Sequence, residues 1–312
     1  MAEENWERSV IERLATEGLL EQQRARRWGI FFKLLTFALV CFVLFLVLAS
    51  GTTSERICLD KCTAMVELRG ELDSDGRASA ETVIAGLQAA FKDKGTRGVV
   101  LKIDSPGGSP VQAGAINDEI RRLRATHPDT PIYAVVEEIC ASGAYYVAVA
   151  TDRIFVDKAS LVGSIGVIMD GFGFVGTMEK LGVERRAIIA GENKDFLDPF
   201  EPVVPKQREY AQKMLDEIHA QFIAAVKQGR GDRLKDSPEL FSGLVWSGQR
   251  SIELGLADAL GSVNSVARDV IKADDVVDFT QQESLTDRVA RKFGASMGRT
   301  VASMLQKAPR WR

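Results

Sequence analysis

The feature that most constrains this chain is a stretch without charge. Residues 34–53 contain no Asp, Glu, Lys or Arg, and the apolar block reaches back through Gly29, Ile30, Phe31 and Phe32 with Lys33 as its one charged residue. A bilayer core takes about 20 apolar residues of helix, whereas the apolar centre of a cleavable leader needs only about 7–15. Leu48, Ala49, Ser50 and Gly51 offer small residues that a leader peptidase could use, but the run is longer than a leader requires. We therefore read residues 29–50 as a retained transmembrane anchor. Arg24, Arg26, Arg27 and Lys33 flank it on the N-terminal side, and Ser50-Gly51-Thr52-Thr53-Ser54-Glu55 on the other. Basic residues stay in the cytoplasm, so residues 1–28 are expected there and everything beyond about residue 51 on the outer face of a cytoplasmic (inner) membrane. The expected division is a cytoplasmic tail 1–28, an anchor 29–50, an outer domain 51–280 and a basic amphipathic helix 281–312. The tail shows Trp6, Val10 and Leu14 at helical spacing. The last segment places Leu285, Val289, Phe293, Met297 and Val301 every four residues, with Arg288, Arg291, Lys292 and Arg299 on its polar face. Such a helix suits a lipid surface or a neighbouring subunit, or simply closes the domain.

The outer domain alternates two periodicities. Short apolar runs at residues 63–68, 98–103, 131–136, 153–156 and 183–190 read as strands. Between them Ala80, Val83, Ile84, Leu87 and Phe91 recur at helical spacing, as do Ile116, Ile120 and Leu123. A further helix opens at Cys140-Ala141-Ser142-Gly143-Ala144-Tyr145-Tyr146 and runs to about Thr151. A long one covers 205–228, with Pro205 at its first position, Gly229 as its stop, and Tyr210, Met214, Leu215, Ile218, Phe222 and Val226 as its apolar stripe. Strands separated by helices of 10–15 residues or so predict an α/β fold with a largely parallel sheet.

Composition narrows the chemistry. The net charge of −3 provides no basic field for nucleic acid. The four cysteines (Cys41, Cys58, Cys62 and Cys140) lack the paired Cys-x-x-Cys spacing of a zinc site; no metal or other cofactor is expected. Cys58 and Cys62 could pair in an oxidising compartment or remain two thiols.

Ligands of open α/β sheets bind beyond the carboxyl ends of the strands, and two such ends stand out. At Asp104-Ser105-Pro106-Gly107-Gly108, paired glycines let backbone N–H groups approach a substrate, although Pro-Gly-Gly is usually only a turn. At Ala141-Ser142-Gly143, a serine between small residues sits where a strand turns into a helix. Its bland reading is a helix cap; its functional reading is a nucleophile beside the Gly143 N–H. A serine nucleophile needs a base. The two histidines, His127 and His219, follow no strand end. A lysine can serve if its pKa falls through desolvation; Lys158, Lys180, Lys194 and Lys206 all lie between Ser142 and the body of the long helix, and spacing does not choose among them.

Taken with Gly163-Ser164-Ile165-Gly166-Val167, Lys194-Asp195 ahead of Asp198-Pro199-Phe200, Trp246-Ser247-Gly248 and Gly255-Leu256-Ala257-Asp258, these motifs make residues 60–265 resemble the signal peptide peptidase A family in its short, single-unit form. The resemblance implies a Clp protease/crotonase-like spiral of β-β-α units and a Ser–Lys serine protease. In it Ser142 is the nucleophile, Lys194 the general base and Ser164 the residue orienting the lysine, with Gly108 and Gly143 as the oxyanion hole. It also implies hydrophobic peptide substrates such as cleaved signal peptides, and a homo-octamer whose dyads form between neighbouring subunits. The Ala144 methyl is expected to be tolerated where the family often has glycine, provided its φ is negative. Other readings are a related protease trimming a membrane-protein partner, a non-catalytic ring-forming membrane scaffold, and an acyl-CoA enzyme of the same fold.

Overall fold

A computed structural model describes residues 22–24, 26–45 and 57–281. The expected tail helix around Trp6–Leu14, the end of the anchor and the expected helix 281–312 lie outside the described residues, apart from residue 281 itself. The chain divides into two compact units, one of Met1–Glu55 with Glu283–Arg312 and one of Arg56–Gln282.

In the first unit, α1 (Gln22–Phe45) is 24 residues long with a mean hydropathy of 2.2. At 1.5 Å per residue it measures about 36 Å, against a hydrocarbon core of about 30 Å. Among the described residues it is the one helix long and apolar enough to cross a membrane, by length and composition.

The second unit is built on a twisted, mostly parallel sheet. Strands β1 (Cys62–Arg69), β2 (Thr96–Ser105) and β3 (Ile132–Ala141) lie side by side, with β8 (Val276–Asp278) on the outer edge of β1. β3 forks. Tyr133, Ala134 and Val135 pair with β4 (Arg153–Val156), while Ile139, Cys140 and Ala141 pair with β5 (Leu161–Gly163). β4 then carries β7 (Ala259–Leu260), and β5 carries the antiparallel β6 (Val245–Ser247). One strand feeding two neighbours coils the sheet, which gives the Clp-like spiral in place of a flat doubly wound sheet.

The helices follow from their periodicity and caps. Ser79 accepts from Thr82 N–H to start α2 (Ala80–Lys92), and Ser109, followed by Pro110, starts α3 (Pro110–Thr126). Their apolar stripes bury Val83, Leu87, Ile116 and Ile120 against Leu68, Leu101 and Ile103 of the sheet. Each such side chain contributes roughly 1.5–3 kcal/mol by leaving water. The short α4 (Gly143–Ala148) sits on the same face and is almost wholly buried.

Two expectations are corrected. Residues 183–190 form no strand: the apolar pattern there has no sheet partner, because the free edge of β5 is taken by β6. Instead Val183, Ile188 and Ile189 are exposed, Ile188 completely. They follow α5 (Val175–Leu181), a short helix that buries nothing. The long helix α6 (Pro205–Arg230) passes through Gly229 and stops at Gly231, whose φ is 53°. Gly229 is glycine for another reason: any Cβ there would collide with the Val149 carbonyl, so it is where α6 packs closest to the end of α4.

Candidate active site

The site forms where β2 and β3 end. Beyond β2, Gly107 and Gly108 take φ of +98° and +139°, conformations open to glycine without strain. The turn is stitched to Leu72, which donates its N–H to Gly107 O (2.8 Å) and accepts from Ser109 N–H (2.8 Å). Gly107 N–H donates to Oγ of the fully buried Ser105 (3.2 Å). A Cβ on Gly107 would lie 2.7 Å from both Ala141 O and Gly143 N, so this turn rests directly against the end of β3. The position of a Gly143 Cβ is 3.4 Å from Gly108 N. Neither the Gly108 nor the Gly143 N–H has an acceptor among the described residues. Two adjacent unpaired amides, one at the start of a helix, suit an oxygen that gains negative charge.

Ser142 stands beside them. Its φ and ψ are 51° and −123°, a region that non-glycine residues enter at a cost of about 1–3 kcal/mol. The strain is imposed from both sides: Ser142 N–H donates to Gly163 O (2.9 Å), and its carbonyl accepts from Tyr146 N–H (3.0 Å). Its side chain makes no capping hydrogen bond to α4. The bland reading as a helix cap therefore fails, and a half-buried hydroxyl is left without a structural task. Ala144 is absent from the described non-glycine residues with positive φ, so its methyl fits as expected. Beneath the turn, Tyr145 donates its hydroxyl to Leu256 O (2.8 Å). Burial pushes the Cys140 thiol far up, so it is a packing residue and no rival nucleophile.

Ser164 joins this cluster. β5 pairs Gly163 with Ala141, which brings the next residue alongside Ser142. Ser164 has φ 52° and donates its N–H to Leu244 O (2.7 Å). Trp246 packs against Gly163; a Cβ there would sit 3.0 Å from the indole Cδ1. His219 contributes structurally, its Nε2 lying 3.1 Å from Ile165 O. His127 ends α3 shortly before β3 begins, against Phe91, whereas the site lies where β3 ends.

Lys194 is not brought to Ser142. It is exposed in a turn over residues 192–197, and among the described residues no hydrogen bond joins it to Ser142 or Ser164. Lys158, Lys180 and Lys206 are exposed too, Lys206 in an ion pair with Glu192 (3.7 Å). The Lys194 turn is nonetheless ordered by its neighbours. Lys194 N–H donates to Gly191 O (3.1 Å), the Phe196 ring meets Tyr210 edge-on at 5.9 Å, and Arg185 pairs with Asp198 and Glu201 (3.6 Å to the latter). Sequence reasoning missed Leu72, Leu244, Arg185 and Gln207 as supports. Their work is long-range pairing, and no local pattern announces it.

The Peptidase family S49 model matches residues 124–291. Among curated proteins, the chain is 44% identical over 209 residues to the Na(+)/H(+) antiporter NhaA of Brucella melitensis, covering 65% of this chain and 28% of that one. It is 30% identical over 223 residues to a provisionally named protease of Methanocaldococcus jannaschii (68% and 71%), and 27% identical over 218 residues to protease 4 of Haemophilus influenzae (70% and 34%). The chain thus spans less than a third of the first of these relatives and about a third of protease 4.

Proposed function

This chain belongs to peptidase family S49, the family of the signal peptide peptidase A proteins, and from that membership we propose that it is a membrane-anchored serine endopeptidase with a Ser–Lys dyad. The observation that carries the reading is Ser142, a strained serine that caps nothing and lies beside two unpaired backbone amides. In the proposed reaction the neutral amine of Lys194, oriented by Ser164, takes the Ser142 proton. Oγ attacks the peptide carbonyl, and the Gly108 and Gly143 N–H groups hold the oxyanion. The lysine ammonium protonates the departing amine, leaving an acyl-enzyme. Water, deprotonated by the same lysine, then releases the acid.

A lysine acts as base near neutrality only when desolvated. Lys194 is exposed on an arm that also exposes Ile168, Phe172, Leu181, Ile188 and Val203. This supports a homo-oligomer, an octamer by family resemblance, in which the arm of one subunit covers Ser142 of its neighbour. The division into tail 1–28, anchor 29–50, protease domain 51–280 and C-terminal helix 281–312 is part of the proposal. So is the topology: a single pass through the inner membrane, N-terminus cytoplasmic, protease domain periplasmic. α1 supports the anchor. The Cys58–Cys62 disulfide supports an oxidising compartment for the domain. Substrates would be hydrophobic peptides at the membrane, such as cleaved signal peptides. The likeness to part of a longer protein named as an antiporter favours a second reading, trimming of a membrane-protein partner.

The test incubates wild type, Ser142→Ala and Lys194→Ala with a panel of membrane peptides and sequences the products. Cleavage by wild type alone is expected. Undiminished cleavage by Ser142→Ala would sink the proposal, and a wild type that cuts nothing and resists serine-directed acylating probes would return the scaffold or acyl-CoA readings.

A further inference from the structure

Between Ile165 and Ala211 one residue is buried, and it is polar: Gln207, 9% exposed, in the first turn of α6. A lone buried amide in this stretch needs partners, and both of its partners lie within three residues after the proposed base. Its Oε1 accepts the N–H of Leu197 (3.1 Å), and its Nε2 donates to Asp195 Oδ1 (3.5 Å). Leu197 has φ 54°, a left-handed conformation that a branched side chain rarely adopts and that persists only where its surroundings impose it. The Gln207 bond falls on the N–H of that very residue.

Resting on the Ser142–Lys194 reading, we propose that Gln207 positions the base. It fastens the turn that carries Lys194 to the rigid start of α6, and so sets where the lysine Cα sits and which way its chain leaves. Lysine has a flexible four-carbon stem, so its amine is only as well placed as the backbone beneath it. The other ties of this arm act differently: Lys194 N–H bonds Gly191 O within the turn itself, so that bond does not join the turn to α6. Arg185 grips Asp198 and Glu201, beyond the turn, and Phe196 lies against Tyr210 with no polar link to the lysine backbone. Among the described residues, Gln207 is the one side chain that hydrogen-bonds residues on both sides of Phe196.

The experiment uses the full chain in detergent and a hydrophobic peptide substrate. Gln207→Met keeps the volume and removes both hydrogen bonds. Gln207→Glu combined with Asp195→Asn restores both bonds with donor and acceptor exchanged, the new carboxylate accepting from Leu197 N–H and from the new amide. Arg208→Ala, an exposed neighbour, is the control. Gln207→Met should lower kcat by about 10- to 100-fold with KM changed by less than about twofold, because a misplaced base weakens the transition state and not substrate binding. The Gln207→Glu/Asp195→Asn pair should recover most of that loss, at unchanged oligomer size. A wild-type kcat in Gln207→Met, or a loss that the Gln207→Glu/Asp195→Asn pair does not repair, overturns the proposal. So does a loss that merely tracks the fraction of folded protein. If Gln207→Met does not fold, Asp195→Ala removes the other half of the clamp and should lower kcat with KM held; an unchanged kcat there overturns it as well. Lys194→Ala separates the two ideas. If it turns over normally the dyad reading has failed, whereas an inactive Lys194→Ala beside a fully active Gln207→Met fails the clamp alone.

Discussion

The two halves of α6 live in different surroundings. The C-terminal half is part of the body: Phe222 and Val226 are buried, Gly229 lies against Val149, and Arg230, 2% exposed, donates to Gly255 O (2.8 Å) and to both oxygens of Asp258. The N-terminal half leaves the body with Tyr210 exposed and Gln207 clamping the Lys194 turn. The difference divides the proposed dyad. Ser142, Gly108, Gly143 and Ser164 are placed by the core of their own subunit. Lys194 lies on an arm that leaves Ile168, Phe172, Leu181 and Ile188 exposed. In the proposed reading, one half of the chemistry is finished by folding and the other is completed by assembly.

The contrast is broken or sharpened most by comparing activity with stability at Lys194. Lys194→Ala should lower kcat by about 10⁴-fold, equivalent to about 5.5 kcal/mol of barrier. Because the residue is exposed, protomer stability should move by less than about 0.5 kcal/mol. Peptide cleavage and calorimetry on the same preparation read both. A large drop in protomer stability would mean that the arm belongs to the body after all.

Next in size is the anchor of the other half. Arg230→Met leaves the Asp258 carboxylate nearly buried with only the part-exposed Arg233 (3.2 Å) as a charged partner. Breaking a buried pair in this way costs about 3–5 kcal/mol, measurable by urea unfolding. The same pair gives a pH signature. Burial pushes the Asp258 carboxyl up, but Arg230, the Ile154 N–H and Arg233 outweigh it and hold the pKa below the ordinary value. Its stabilisation is therefore complete above the unfolded pKa of about 4 and is lost as pH falls through the lower folded value. Arg230→Met should flatten that acid limb; an unchanged limb would assign it to other carboxylates.

A smaller effect is expected at the arm's tip. Ile188→Asp places a charge where apolar surface is proposed to be covered by another subunit. Losing one isoleucine from such an interface is worth about 2 kcal/mol, so association should weaken more than tenfold in sedimentation with the protomer's own melting unchanged. A stable oligomer of wild-type size would show that Ile188 faces solvent in the assembly too.

How much could be read from the chain alone follows the same division. The strands at 63–68, 98–103, 131–136 and 153–156, the flanking helices, and the glycine turn beside Ser142 were legible because their signals are local: period, caps and glycine at strand ends. The stretch at 183–190 misled because an apolar run reads as a buried strand even where it lies on the surface of the protomer. Gly229 looked like a helix stop but is a packing contact with Val149, eighty residues away, which no local window contains. Leu72 and Gln207 were invisible for the same reason. Choosing Lys194 among four exposed lysines needed the family resemblance, since no environment within one subunit singles it out.

The smallest effect tests the finished half at its centre. Ser142 is held at φ 51°, ψ −123° by Gly163 O and Tyr146 N–H, and both bonds use its backbone, so they survive a change of side chain. Glycine adopts these angles without the clash that a Cβ creates, which should release part of the about 1–3 kcal/mol of strain. Against this stands the greater freedom of glycine in the unfolded chain, a cost of about 0.5–1 kcal/mol. The balance predicts that Ser142→Gly is inactive yet more stable by about 1 kcal/mol in urea unfolding. Ser142→Ala, which keeps the Cβ, should be inactive with little gain. If the two variants have equal stability, the unusual angles cost nothing and Ser142 owes them to the fold alone. If glycine alone stabilises, folding retains a strained serine at a stability cost that only the reaction of its hydroxyl explains.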